Sequence, residues 1–168
     1  MVGGAQLISE CREHVRKRGE LSPGEVFVSS AGSLPCKSVI HTVGPMWKGG
    51  TRNEDADLKL AVEGAVREAD RGKHRSMSLP AVSCGVYGFP SDRGAKIILS
   101  SVRQLLSTSH ALMEVSVVSG QSIIQTFHDT LTTAFGSNNV KRLAQNPSQQ
   151  DDVSGKCGGL AYRLHHRS

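Results

Sequence analysis

Apolar residues recur every three or four positions in four long segments of the chain, which is the pattern of amphipathic helices. These segments are residues 6–16, 54–71, 92–106 and 121–135. Shorter β-branched or alternating runs predict strands at residues 25–29, 37–43, 75–83 and 112–118. From residue 75 onward strands and helices alternate, which predicts right-handed βαβ units and a parallel sheet covered by helices on both faces.

The periodic pattern stops after Gly136. Residues 137–139 read Ser-Asn-Asn, and residues 146–152 are polar and rich in turn-forming types. The short run 160–164 is too brief to indicate a further element. We therefore expect one domain over residues 1–136, followed by a disordered tail or linker over residues 137–168.

A glycine loop joins the strand near residue 82 to the helix that begins near Ser91. Gly85 and Gly88 allow the backbone to approach a ligand closely, and a helix N-terminus behind such a loop favours an anion. The loop has neither the Gly-Lys-Ser/Thr of the nucleotide P-loop nor the dinucleotide G-x-G-x-x-G pattern. On spacing alone, a phosphate-binding loop and a purely structural turn are equal alternatives.

Two motifs in combination decide between these alternatives. The strand V-I-H-T-V-G-P-x-W over residues 39–47 precedes S-x-G-V-Y-G-F-P over residues 83–90. Together they resemble the macrodomain family of ADP-ribose-binding modules, and most closely the tandem macrodomains of large mono-ADP-ribosyltransferases of the PARP family. The likeness covers residues 3–136. It implies a three-layer α/β/α fold of the α/β class with a mixed, mostly parallel sheet.

The resemblance also implies a ligand and its contacts. ADP-ribose, or ADP-ribose carried on modified proteins, is the expected partner, and no other cofactor is expected. The diphosphate and ribose are expected to lie on the loop Ser83, Cys84, Gly85, Val86, Tyr87, Gly88 and Phe89.

The family has more chain at its start than this sequence offers. Its two opening strands, its adenine-binding acid, its ribose-binding asparagine and its first glycine loop have no counterpart here, since residues 1–11 match the later part of its first helix. The resemblance therefore implies a partial domain with unpaired strands and weakened ADP-ribose binding. We expect a reader of ADP-ribose rather than an enzyme. A ligand-free interaction or remnant module is the alternative, and hydrolysis is disfavoured because it depends on the missing loop.

Five side chains are candidates for a chemical role. Cys84 lies near a helix N-terminus, which can lower a thiol pKa, but the sequence fixes no base beside it. His41, in an apolar strand, is expected to be a histidine satisfied by a neighbour, and Trp47 is expected to pack. Tyr87 and Phe89 fit either the core or the wall of a nucleotide site, and the resemblance favours the wall. No catalytic residue is assigned.

Composition narrows the classes of protein that remain. The 168 residues are 38% hydrophobic and 21% charged, with no apolar run long enough for a membrane helix and no signal-peptide pattern at the start. Four scattered cysteines without a C-x-x-C pair disfavour a metal site or a disulfide scaffold and favour the nucleus or cytoplasm. The net charge is +5, but aromatic residues make up only 4%, which disfavours direct nucleic-acid binding.

Overall fold

Ten elements follow one another in the computed structural model, which describes residues 3–135, 141–143 and 160–165. They are α1 (Gly4–Arg18), β1 (Val26–Ser30), β2 (Ser38–Thr42), α2 (Glu54–Arg71), β3 (Ser76–Pro80), α3 (Ser91–Leu106), β4 (Glu114–Ser119), α4 (Gln121–Phe135), β5 (Lys141–Leu143) and β6 (Leu160–His165). The order confirms the predicted α/β class. No helix of the described ranges has the length and apolarity that crossing a membrane requires.

The described strands form two sheets. β1 and β2 make an antiparallel pair, and the other four strands follow the order β3-β4-β6-β5. β3 and β4 are parallel and are joined through α3, whereas β6 runs antiparallel to both β4 and β5. The sheet structure is mixed, as expected, but the parallel pairing is limited to the β3-α3-β4 unit. β2 and β3 each have a second edge that pairs with no described strand.

Side chains on β1 and β2 alternate between two helices. Phe27 pairs with His41, and both face α1, where the His14 ring stacks on Phe27 with centroids 4.1 Å apart. Val26 pairs with Thr42 on the opposite face, and the Thr42 hydroxyl donates to the Ala61 carbonyl of α2 at 3.2 Å. The strand pair therefore lies between two helices, which gives this part of the molecule its three layers.

The hydrophobic core lies between the helices α2, α3 and α4 and the strands β3 and β4. The helical stripes predicted from the sequence supply most of it, because the apolar spacing of each helix turns one face inward. The largest fully buried side chains are Leu58, Val62, Val66, Phe89, Ile98, Leu99, Val102, Leu112, Ile124, Phe127 and Leu131.

Asp70, near the C-terminal end of α2, holds the turn that leads into β4. Its carboxylate accepts hydrogen bonds from the hydroxyl of Ser109 and from the N–H groups of Ala111 and Leu112, the last two at 2.8 and 3.0 Å. The Ser109 hydroxyl, followed by these N–H donors, holds the Asp70 pKa far below its ordinary value of 3.8. This turn therefore depends on an ionised carboxylate.

The segment from residue 137 onward differs from the expectation of a disordered tail. Leu160–His165 form β6, which pairs along its whole length with β4, and Lys141–Leu143 form β5 on its far side. Leu164 is buried against the core. This short run is an element because β4 offers it a free edge, so its stability comes from pairing rather than from its own length. The remainder of residues 137–168 lies outside the described residues, and the domain boundary at residue 136 stays a prediction.

Candidate ligand-binding loop

The chain between β3 and α3 is a tight loop closed by its own backbone. The N–H of Cys84 donates to the Ala81 carbonyl at 3.1 Å, and the N–H of Phe89 donates to the Ser83 carbonyl at 3.0 Å. Ser83 and Gly88 adopt left-handed backbone conformations, with φ of 63° and 69°. Glycine suits the second of these because such φ values are costly for residues with a side chain.

Three consecutive N–H groups at the tip of this loop are left for a ligand. Gly85, Val86 and Tyr87 donate to no acceptor within the part of the chain that the structure describes. The tip stands clear of the protein, since the side chain of Val86 is fully exposed. The N-terminus of α3 follows directly, and its partial positive charge adds to that of the N–H groups. Such an arrangement binds an anion.

The side chains of the loop divide between the core and the solvent. Phe89 is only 2% exposed, so its ring is part of the core and cannot wall a ligand site. Tyr87 is 43% exposed beside the free N–H groups, which leaves it as the aromatic side chain of the loop that a ligand can reach. The resemblance assigned the wall to both residues, and the structure leaves that role open to Tyr87.

Cys84 is unsuited to act as a nucleophile. Its side chain is 6% exposed, and burial raises the pKa of the thiol to about 11. The sulfur packs against α3 at Gly94, so closely that a Cβ atom added to this glycine would overlap Sγ. The thiol faces the helix rather than the open tip, so Cys84 can serve a ligand only through its backbone.

Ser83 has an unusual surrounding for a hydroxyl. Its Oγ atom is buried and forms no hydrogen bond in the described part of the chain. It lies close to Gly44, where an added Cβ would overlap the hydroxyl oxygen. The loop and the end of β2 are therefore in direct contact at a position where a side chain larger than hydrogen has no room.

The segment after β2 supports the loop from the side. The N–H of Trp47 donates to the Tyr87 carbonyl at 2.9 Å, and its ring meets Phe89 edge-on with centroids 4.8 Å apart. Arg93, in the first turn of α3, lies over the indole with its guanidinium carbon 5.4 Å from the ring centroid, and it forms an ion pair with Asp55 at 2.7 Å. Trp47 has the packing role expected from the sequence. The contribution of Arg93 was not predicted, because its partner is 38 positions away.

Glu54, the first residue of α2, stabilises the same segment through hydrogen bonds to its backbone. The carboxylate is 2% exposed and accepts hydrogen bonds from the N–H groups of Lys48 and Gly50 at 2.9 and 3.0 Å. Burial opposes the charge, but these donors and the N–H of Arg52 keep the pKa of Glu54 lowered, at about 2. The sequence pattern predicts Glu54 only as the first residue of a helix. Its hydrogen bonds to the preceding segment were not predicted, because that segment has no periodic pattern of apolar residues.

His41 is a partnered histidine, as predicted. Its Nε2 atom is 2.9 Å from the Ser29 hydroxyl and 3.7 Å from the sulfur of Cys11. Burial, followed by the charge of His14, lowers its pKa below the ordinary 6.5. It lies on the α1 face of the strand pair and takes no part in the loop. Within the described residues, no group of three or more His, Cys, Asp or Glu side chains could hold a metal ion.

Comparison with known proteins places this fold and loop in one family. The macro domain model matches residues 1–98, which is more than half of the chain. The chain belongs to the macro domain family. The matched range includes the whole candidate loop and the first half of α3.

Several of the similar sequences are bacterial proteins named as O-acetyl-ADP-ribose deacetylases. The O-acetyl-ADP-ribose deacetylase of Klebsiella pneumoniae is 37% identical over 68% of this chain and 66% of its own length. That of Escherichia fergusonii is 40% identical over 66% of this chain and 62% of its own length. The chain thus spans about two thirds of the length of these relatives. They do not support the expectation that the PARP-family tandem macrodomains are the nearest likeness.

Solved structures agree in fold. The Oceanobacillus iheyensis macrodomain with ADP has a TM-score of 0.74 and 29% identity, covering 79% of this chain and 72% of the other. A glycine-to-valine mutant of the same macrodomain with ADPR has a TM-score of 0.73 and 30% identity, covering 79% and 73%. The similarity confirms the macrodomain α/β fold.

Proposed function

We propose that this chain binds ADP-ribose and that the N–H groups of Gly85, Val86 and Tyr87 hold the diphosphate. The observation that carries the proposal is the run of three unpaired N–H donors at the open tip of the loop, directly before the N-terminus of α3. A diphosphate bears charge on adjacent oxygens and matches several convergent donors. The exposed Tyr87 ring then lies where a ribose can pack against it.

Two observations support ADP-ribose over other phosphates. Similar solved macrodomains contain ADP or ADPR, and similar sequences are named for O-acetyl-ADP-ribose. ADP-ribosylated proteins present the same group and are the proposed macromolecular partners. Location in the nucleus or cytoplasm stays a prediction.

Of the two functions that a macro domain of this kind could have, we favour binding of ADP-ribose without catalysis. No His, Asp or Glu occurs from Ala81 to Ser91, and the one thiol of the loop is buried with a raised pKa. The loop therefore offers a ligand its backbone donors but no histidine or carboxylate as general acid or base. Hydrolysis of an ADP-ribose ester is the second candidate, and the deacetylase names of the relatives at 37% and 40% identity favour it.

Titration of the isotope-labelled chain with ADP-ribose tests the binding site. We expect saturable shifts of the Gly85, Val86 and Tyr87 amide signals, because these N–H groups have no acceptor in the described part of the chain. Gly85→Glu should abolish the shifts, since it places a negative charge where the anion lies. Gly85→Ala is the matched control, because no atom lies within 4 Å of a Cβ at this position.

Shifts that spare residues 85–87, or an unchanged affinity in Gly85→Glu, would refute the placement. Incubation of the chain with O-acetyl-ADP-ribose then separates the two finer functions. Release of acetate by the unaltered chain, lost in Gly85→Glu, would establish hydrolysis. Binding without release of acetate would establish recognition alone.

A further inference from the structure

The candidate loop is held at one peptide group next to its free N–H donors. The carbonyl of Tyr87 accepts from the N–H of Trp47 at 2.9 Å, and the N–H of Gly88 in the same peptide group donates to the Gly85 carbonyl, also at 2.9 Å. A peptide group is planar, so a bond at each end fixes its orientation. Few backbone dihedral angles separate this group from the three free donors, so its orientation affects how they converge.

Trp47 is outside the loop, and its ring is held by two other side chains. The indole meets the buried Phe89 ring edge-on, with centroids 4.8 Å apart. The Arg93 guanidinium carbon lies 5.4 Å from the centroid of the indole. A guanidinium over an indole is attracted to the electrons of the ring, and its planar shape suits this contact. Arg93 therefore helps to hold the residue that bonds to the loop.

Asp55 in turn fixes the direction of the arginine. Its Oδ2 atom accepts hydrogen bonds from Nε of Arg93 at 3.0 Å and from Nη2 at 2.7 Å. Two donors from one guanidinium restrict the plane of the group more than a single contact would. The ion pair joins the first turn of α2 to the first turn of α3, the helix that directly follows the loop.

Gly50 leaves the room in which the indole and the guanidinium meet. A Cβ atom added there would lie 3.0 Å from a carbon of the Trp47 ring and 3.4 Å from a guanidinium nitrogen of Arg93. The Gly50 N–H is bonded to the Glu54 carboxylate at 3.0 Å, which keeps the backbone in this position. The contact between the two side chains is therefore closely surrounded by the segment before α2.

We propose that Asp55 and Arg93 are positioning residues for the diphosphate donors of the loop and that they act through Trp47. The proposal rests on the proposed function, because it concerns the N–H groups assigned there to ADP-ribose. Asp55 orients Arg93, Arg93 holds the indole, and the Trp47 N–H holds the Tyr87 carbonyl. The ion pair raises the affinity for ADP-ribose without a contact to the ligand.

The sign of one charge change separates positioning from direct electrostatics. Arg93 is a cation close to the proposed anion site, so its removal would weaken binding under either mechanism. Asp55→Ala keeps the arginine and removes a negative charge from the same region. Direct electrostatics therefore predicts tighter ADP-ribose binding by this variant. Positioning predicts weaker binding, because the arginine loses the partner that directs it.

Amide-shift titration of the isotope-labelled chain with ADP-ribose tests the proposal. We expect Asp55→Ala to weaken binding about two- to fivefold, the range expected for the loss of an exposed ion pair. Asp55→Glu keeps a carboxylate and should restore most of the affinity. Asp57→Ala is the matched control, since it removes the same charge from the same turn of α2 and leaves the ion pair of Asp55 with Arg93 in place. It should bind at least as tightly as the unaltered chain.

Hydrogen exchange without ligand gives a readout that a change in overall stability does not explain. The Trp47 amide should exchange faster in Asp55→Ala than in Asp57→Ala, while the core amides of α3 and the urea midpoints of the two variants agree. Equal or tighter ADP-ribose binding by Asp55→Ala, or unchanged exchange of the Trp47 amide, would overturn the proposal. No binding by the unaltered chain would instead refute the proposed function, and the exchange of the Trp47 amide would still decide whether the ion pair holds the loop.

Discussion

The region around α3 and the region around α1 are built in different ways. α3 has eight buried residues, and among the described residues the largest fully buried side chains lie in the segment from Leu58 to Leu131. α1 has none, and β1 contributes only the small polar Ser29. The α1 region is instead tied by polar contacts, including Glu10 to the N–H of Ser30 at 2.7 Å. Side-chain burial, rather than secondary structure content, distinguishes the two regions.

The candidate loop depends on both regions. Cys84 and Phe89 anchor it in the α3 core, while Trp47 and Gly44 reach it from the chain that follows β2. The loop therefore has one support on α3 and one in the segment between β2 and α2. Changes in the two regions are therefore expected to affect stability and binding to different extents.

The largest effect is expected from Ile98→Ala in α3. Ile98 is fully buried, so the truncation loses its burial and leaves a cavity, which costs about 2–5 kcal/mol of unfolding free energy. Val15→Ala in α1 is the counterpart, because Val15 is 51% exposed and should change stability by less than about 0.5 kcal/mol. Urea unfolding of both variants measures the difference. Equal destabilisation would contradict the contrast between the regions.

A medium effect is expected from Gly94→Ala, at the contact between α3 and the loop. The new Cβ would overlap the sulfur of Cys84, so the loop or the helix must move. Overpacking of this kind costs about 1–3 kcal/mol. The ligand-induced amide shifts of residues 85–87 should weaken as well. Gly120→Ala has no atom within 4 Å of its Cβ and serves as the control; a normal loop in Gly94→Ala would show that the close contact is not needed.

The smallest effect is a difference in pH dependence between the regions. Burial disfavours protonated His41, so its folded pKa lies below the 6.5 of an ordinary histidine. Its contribution to stability is present above pH 6.5 and is lost as the pH falls from there to its folded pKa. Asp70 has a lowered pKa too, but from an ordinary value of 3.8, so its contribution is lost only below about that pH.

Hydrogen exchange at about pH 7.5 and about pH 5.5 separates the two contributions, because this range includes the ordinary pKa of histidine and lies above that of Asp70. Amides of β1 and β2 should open more readily at the lower pH, while those of α3 and β4 should keep their protection. The matched variant is His41→Asn, which should lose the pH dependence of β1 and β2. Loosening of β4 at the lower pH would show that the acid response is not local to the histidine.

Local sequence patterns predict the parts of the fold that depend on near neighbours. α2 begins and ends where its apolar spacing and its acidic first turn indicate, at Glu54 and Arg71. The strand expected over residues 75–83 ends earlier, because the chain turns at Pro80, where Val82 bonds back to its carbonyl. β6 was missed because its partner, β4, lies more than forty residues earlier in the chain.

The same distinction holds for the candidate site. Glycine positions and the following helix predict the anion loop, since a turn and a helix N-terminus are local features. They do not predict that the Phe89 ring is in the core or that Cys84 is held against Gly94. Those placements depend on how closely α3 approaches the loop. The pairing of Arg93 with Asp55 depends likewise on how two helices cross.

Trp47 makes the candidate loop accessible to intrinsic fluorescence measurements. It is the only tryptophan of the chain, and its backbone is bonded to the carbonyl of Tyr87, next to the proposed diphosphate donors. Its indole is half-buried and contacts both the Phe89 ring and the Arg93 guanidinium. Emission from this single fluorophore therefore reports on one loop, without a label and without background from a second indole.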